Sequence, residues 1–248
     1  MSKLYDGAAE HYVRGRRDYP ATLGETIRDA LGLDGTGRLL DVGCGPGKLT
    51  KLLAPYFAAA VGVDADPGMI AVATNENPEI TWVRRSAEEL PAGLGTFRCV
   101  TFAQSFHWMD QDRVAERVRP MIEPGGRWVH VGAQTHRGHV GDVPWDRIQD
   151  LVHTHVGDTH LPGASRGGEE DVMLAAGYRG PERITLPWGE SVTRSLDEVV
   201  SAVFSLSWAA PHLFADDLPA FERDLRMLLG PGPFTEEMYE IEVVIWSP

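Results

Sequence analysis

The sequence predicts an α/β fold: a doubly wound, mostly parallel seven-stranded sheet with helices on both faces. Three observations carry this. Short apolar runs of strand length alternate with stretches of helical period through the first half of the chain. A glycine-rich turn, Gly43-Cys44-Gly45-Pro46-Gly47, follows the first such run directly, and an acid, Asp64, closes the second. Strands that alternate with helices need crossover connections, and these produce a parallel sheet covered on both faces.

From Pro20 onward, Leu23, Ile27, Ala30 and Leu31 follow helical spacing, and Gly32 ends the helix. The run RLLDVG is the first strand. Leu49, Leu52 and Leu53 restart a helical period behind the glycines. AAAVGVD is the second strand, and a helix begins over Pro67 to Ala73. ITWVRRS and RCVTFAQS form the third and fourth strands, and RWVHVG forms the fifth after the turn EPGG. Beyond Gly132 the pattern is fainter, with TLPWGESV expected as a sixth strand and MYEIEVVIW as a seventh. Two amphipathic helices lie between them. One carries Leu196, Val199, Val200, Val203 and Phe204. The other carries Leu218, Phe221, Leu225, Leu228 and Leu229, with Asp217 as cap, Pro219 in its first turn and Gly230 at its end. An insertion of that size before the last strand reads as a helical lid, over about residues 190–232.

Composition narrows the function. The 248 residues carry a net charge of −13, which repels a phosphate backbone, so a small molecule is the expected partner and nucleic acid is not. No apolar run has the length of a signal peptide or a membrane span, and two cysteines, Cys44 and Cys99, are too few for a disulfide framework. A reduced, cytoplasmic protein without membrane contact is the expectation; the oligomeric state is not indicated. His153, His155 and His160, beside His136 and His139, match no zinc spacing, so no metal is expected.

The glycine turn invites a phosphate reading and fails it. A triphosphate loop needs glycine at position 42 and Ser or Thr at position 49, where this chain has Val42 and Leu49. A dinucleotide loop needs its third glycine at position 48, which is Lys48. What remains is Asp41-x-Gly43-x-Gly45-x-Gly47, in which the acid would repel a phosphate and attract a cation. Asp64 stands near the separation at which a carboxylate meets ribose hydroxyls. An adenosine carrying positive charge fits both features.

This combination resembles the S-adenosylmethionine-dependent methyltransferases of Rossmann-like fold, in particular their small-molecule group, over roughly Tyr5 to Gly132. The resemblance implies S-adenosyl-L-methionine as cofactor and S-adenosyl-L-homocysteine as its product. It implies that Gly43, Cys44, Gly45 and Gly47 line the methionine portion while Asp41 orders the loop. Asp64 would hold the ribose, with Ala65 and Met69 against the adenine. Ser86-Ala87-Glu88 matches the motif that meets the adenine amine, with Ser86 where Asp is common. FAQSFHWMD brings Gln104 near the methionine end. Arg98 stands where an acid usually begins the fourth strand. YVRGRRDYP is similar to a Tyr…Arg-Pro-x-Tyr-Pro signature, Arg17 replacing the proline, and would bring Tyr12 and Arg16 over the cofactor. The implied layout is one domain: 1–20 as a cap over the cofactor, 21–132 as the cofactor-binding core, 133–248 as the substrate side.

His107 and Trp108 fall where a methyl acceptor would sit. Imidazole has a pKa suited to accepting a proton at neutral pH, which makes His107 the candidate general base. Tyr5, Tyr19, Trp108 and Trp208 are candidate substrate walls, as are Trp188, His212 and Phe214. The expected reaction is methyl transfer to an O, N or C nucleophile of a small molecule. A non-methylating enzyme on the same scaffold (a pericyclase or isomerase), a non-catalytic binding module and an NAD-dependent oxidoreductase are the alternatives.

Overall fold

The structure, a computed structural model, describes residues 7–133, 141–157, 168–189, 191–236 and 240–248. Tyr5, His136, His139 and His160 lie outside the described residues. The chain begins with α1 (Ala9–Gly15) and α2 (Ala21–Leu31), then β1 (Arg38–Val42), α3 (Lys48–Leu53), β2 (Ala59–Asp64), α4 (Pro67–Glu76) and β3 (Thr81–Arg84). It continues through β4 (Phe97–Ala103), α5 (Gln111–Val118), β5 (Ile122–Ala133), α6 (Trp145–Val156), α7 (Glu169–Ala175) and β6 (Arg179–Pro187). Last come β7 (Val192–Arg194), α8 (Leu196–Phe204), α9 (Leu218–Leu229), β8 (Phe234–Glu236) and β9 (Glu240–Ser247).

Seven strands form one sheet in the order β3-β2-β1-β4-β5-β9-β6. The five strands from β3 to β5 pair in parallel, whereas β9 runs antiparallel between β5 and β6. The sheet changes direction beside β1: the chain winds outward to β3, then returns to lay β4 on the other side of β1. A crevice opens at such a point, at the carboxyl ends of the strands.

Alternation along the strands divides the core. Leu39 and Cys99 pack with Leu23, Ile27 and Leu53 on the α2–α3 face, while their chain neighbours Leu40 and Val100 pack with Val114 and Val118 of α5 on the other. Both faces are buried, which is why the central strands read as continuous apolar runs.

The sixth strand is corrected. It occupies Arg179–Pro187 instead of 185–192, and most of it is exposed, because it is the sheet edge with a single neighbour. Charged residues on that outer surface, Glu182 and Arg183 among them, hide the alternation from sequence. Val192–Arg194 instead pairs with Phe234–Glu236 in a separate two-stranded ribbon.

The two helices expected in the lid occur as α8 and α9, and with α6 they form a helical cap. Ile148 and Val152 of α6, with Val143, join Val200, Val203, Phe204, Phe221 and Leu225 in a third apolar core. Asp217 precedes α9 but makes no side-chain cap bond. Its carboxylate accepts from His155 Nδ1 of α6 at 2.6 Å instead, so it ties two helices together. Among the described residues no helix is long and apolar enough to cross a membrane, and no cluster of three metal-ligating side chains occurs.

Candidate active site

The crevice beside β1 is a cavity whose floor is the ends of β1, β2 and β4 and whose roof is α1, its following segment and the cap. Its geometry begins with the glycines. Gly43, Gly45 and Gly47 all have φ between 54° and 85°, the left-handed region that side chains rarely adopt. A Cβ on Gly43 would lie 2.5 Å from Ser105 Cβ, and one on Gly47 would lie 2.3 Å from the Trp82 ring. A Cβ on Gly45 would meet nothing within 4 Å, because this glycine faces the cavity. Gly47 therefore serves packing against Trp82 and does not line the cavity; only Gly43 and Gly45 do.

Asp64 orders this turn from the neighbouring strand. Its Oδ2 accepts from the Gly45 N–H at 2.8 Å and its Oδ1 from the Asp66 N–H at 2.8 Å. Burial raises its pKa, and the same two backbone donors oppose that rise. The carboxylate is held in place by these two backbone donors. Asp66 then caps α4 through the N–H groups of Gly68 and Met69, which sets Met69 and Ala65 on the cavity wall.

Asp41 is fully buried and does not reach the cavity, so it acts on no ligand by contact. Thr50 and Thr101 donate their hydroxyls to it at 2.6 and 2.7 Å, fixing α3 and β4 against β1. Burial pushes its pKa up to about 6 against the pull of those hydroxyls. Thr50, one residue beyond the place where a triphosphate loop needs its hydroxyl, is thus a partner of the buried acid. Lys48 is structural in the same way. Its Nζ donates to the Arg16 carbonyl at 2.9 Å and pairs with Asp18 at 2.6 Å, pinning the N-terminal segment over the turn.

That segment closes the roof. Gly15 packs so tightly on α8 that a Cβ would lie 2.3 Å from the Ala202 N. Arg16 donates to the Ser205 hydroxyl at 2.8 Å and lies 5.4 Å from the centre of the Tyr12 ring. Tyr12, Arg16, Arg17 and Tyr19 all line the cavity, Tyr19 stacked on Trp188.

Beyond β3, Ala87 lines the cavity and its two neighbours do not. Ser86 forms a capping box with Glu89, and Glu88 accepts from the Asp110 N–H at 3.1 Å. Their side chains are committed to the turn, so of this trio only Ala87 reaches the cavity. Arg98, unexplained by the sequence, ties down the loop before β1: it donates to Asp34, to the Thr36 hydroxyl and to the Gly32 carbonyl.

At the end of β4, Gln104 takes φ 53°, a conformation uncommon for a residue with a side chain. Such strain persists where the surroundings enforce it, and it gathers at functional sites. After it, a short 3-10 turn presents His107 and Trp108 to the same cavity, their rings 4.6 Å apart. Burial lowers the His107 pKa, so its imidazole is neutral at neutral pH. Burial holds Cys44 well above its ordinary pKa, so it stays a thiol.

On one side of the cavity the sequence gives no sign of an ion pair or of Trp145. Arg194 on β7 and Glu236 on β8 form a buried ion pair at 2.8 Å, and Arg194 also donates to the Gly15 carbonyl at 2.9 Å. The ribbon register across two distant segments creates this pair, and no local pattern announces it. Trp145, Trp188 and Trp208 complete that side, while Phe214 is buried against Phe221 and His212 does not line the cavity.

A family model described as a methyltransferase domain matches residues 39–126. An uncharacterized methyltransferase of Mycobacterium tuberculosis is 34% identical over 127 residues, covering 51% of this chain and 51% of that protein. The chain thus spans about half the length of the curated relatives it matches. A solved structure of a proposed type II methyltransferase from Anaeromyxobacter dehalogenans superposes with a TM-score of 0.54 at 21% identity, covering 93% of this chain and 95% of that one. The [4+2]-cyclase SpnF superposes at 0.53 and 19% identity, covering 94% and 84%. At such identities these two likenesses concern the fold alone.

Proposed function

We propose, for a chain whose residues 39–126 are a methyltransferase domain of Rossmann-like fold, that it transfers the methyl group of S-adenosylmethionine to an O, N or C nucleophile of a small molecule. The observation that carries this reading is a single cavity in which Asp64 and the open backbone of Gly45 face His107 and Trp108. The residues fit the cofactor. Asp64 keeps acceptor capacity for ribose hydroxyls, and Ala65, Met69 and Ala87 offer an apolar wall for adenine. Gly43, Cys44, Gly45 and Gln104 would meet the methionine end, under Tyr12 and Arg16.

The cofactor supplies a methyl group already activated by its sulfonium. The protein therefore contributes alignment and exclusion of water. Tyr19, Trp108 and Trp208 would hold the acceptor, the α1 segment closing over it. Neutral His107 would take the proton of a hydroxyl or amine acceptor at its ring nitrogen. Because burial lowers its pKa, that limb of the rate profile falls below pH 6.5.

Titration calorimetry with S-adenosylhomocysteine tests the cofactor site. Asp64→Ala is expected to weaken binding by about tenfold or more, since a hydrogen bond to a charged group contributes about 1.5–3 kcal/mol. Asp64→Asn, which retains an acceptor, is expected to fall between the two. Unchanged affinity in Asp64→Ala would remove the ribose assignment. An acceptor converted without release of S-adenosylhomocysteine would assign a non-methylating reaction instead.

A further inference from the structure

Four of the chain's seven tryptophans, Trp108, Trp145, Trp188 and Trp208, line this one cavity. None of them lies within a strand of the sheet. Trp108 lies in the turn after β4, Trp145 opens α6, Trp188 follows β6 and Trp208 follows α8. In the sheet order, β4 and β6 stand on the other side of β1 from β2, so these rings gather away from Asp64. Packing accounts for three of the four. Trp188 is buried with Leu186 and Ile241, and Trp145 and Trp208 pack against the cap core. Trp108 joins none of the three apolar cores among the described residues. Its half-buried ring lines the cavity 4.6 Å from that of His107.

The charged side chains on the cavity wall are already partnered within the chain. Arg16 donates to the Ser205 hydroxyl and carbonyl, Lys48 pairs with Asp18, Arg85 with Glu89 and Arg194 with Glu236. Arg17 is engaged as well. Asp64 and Asp66 accept from backbone N–H groups. An ionic acceptor would have to break one of these pairs or enter without a counter-ion, and either costs free energy. A cation would in addition meet Arg16, Lys48 and Arg194 beside the sulfonium. An uncharged ring requires neither, and it gains ring–ring contact beyond the apolar area it buries. We infer that the acceptor is an uncharged planar aromatic molecule, held against the Trp108 ring and walled by Tyr19 and Trp208. The inference concerns the body that is held, not the atom that is methylated.

This rests on the cofactor site proposed above, so the experiment separates the two. Protein saturated with S-adenosylhomocysteine is titrated calorimetrically with two matched pairs, phenol against cyclohexanol and 2-naphthol against decahydro-2-naphthol. Naphthalene-2-carboxylate and 2-naphthylmethylammonium supply the charged counterparts. In at least one pair the aromatic member is expected to bind about fivefold or more tightly than its saturated analogue, and 2-naphthol more tightly than either charged compound. Trp108→Leu should abolish the preference for the aromatic member, and Trp108→Phe should retain part of it. Because Trp108 belongs to none of the three cores, both variants are expected to fold, which their urea midpoints would check. Three results would overturn the inference: no aromatic alcohol bound more tightly than its saturated analogue, a charged naphthalene bound more tightly than 2-naphthol, or the preference surviving in Trp108→Leu. Failure of S-adenosylhomocysteine to bind the unaltered protein would instead overturn the cofactor reading.

Discussion

The sheet and the cap meet at one cavity but are built on different logic. On the sheet side, each candidate position follows from a strand end: glycines after β1, Asp64 closing β2, Gln104 and His107 after β4. On the cap side, the positions come from segments far apart in sequence, such as Arg17, Arg194 and Glu236, joined by a ribbon and a helix contact. On the proposed reading, the sheet holds the cofactor and the cap holds the acceptor. A clean way to test that division is to damage one side and read the other.

The largest effect is expected in the cap core. Phe221 is fully buried, stacked on Phe214 at 4.0 Å between ring centres and edge-on to Phe204. Phe221→Ala should cost about 3–5 kcal/mol in urea unfolding, the usual range for emptying an aromatic site. The Asp64–Gly45 cradle does not touch it, so S-adenosylhomocysteine affinity of the folded variant should stay within about threefold. Loss of both together would mean that sheet and cap are one cooperative unit.

A smaller effect sharpens where the two sides join. Gly15 packs against the backbone at Ser201 and Ala202, which cannot yield as a side chain can. Gly15→Ala should push α1 from α8, costing about 1–3 kcal/mol of overpacking. Since Tyr12 and Arg16 ride on this segment, S-adenosylhomocysteine should also dissociate faster, as stopped-flow fluorescence would detect. Unchanged dissociation would remove the N-terminal segment from the cofactor's cover.

How much is legible in the sequence follows the same division. The strands β1, β2, β4 and β5, the glycine turn and Asp64 can be read because these inner strands are buried and largely apolar and their ends fall at fixed places in the crossover pattern. The edge strand β6 departs from its expected place because solvent on its outer surface replaces apolar residues with charged ones. Asp41 looks like a ligand-facing acid in sequence, but strand alternation turns it toward Thr50 and Thr101. Ser86 and Glu88 share a motif with Ala87, yet turn chemistry takes their side chains. Arg194 and Glu236 are out of reach because their meaning lies in a pairing register, which one sequence does not encode locally. His155 belongs with them: it joins Asp217, just before α9, and Asp224 of α9, and neither histidine spacing nor the expected cap suggests that contact.

The two sides also differ in how they shelter histidine. In the cap, His155 lies between two carboxylates. In the sheet, His130 on β5 lies among Phe102, Phe106 and Trp128, its Nε2 without a hydrogen-bond partner. Burial, reinforced by Arg183 and His107, drives its pKa down to about 3. Above the unfolded value of about 6.5, both states are neutral there and stability does not depend on this group. Between pH 6.5 and 3 the unfolded chain binds a proton that the native protein refuses, so stability falls as the pH falls. The slope from one such group is about 1.4 kcal/mol per pH unit. Phenylalanine can fill the same aromatic site without a titrating nitrogen, so His130→Phe should flatten the decline by about that amount between pH 6 and 4. Urea midpoints taken across that range would measure it. Parallel curves for variant and parent would mean that His130 is protonated in the native protein, and that water or a rearranged neighbour reaches its ring on the sheet side.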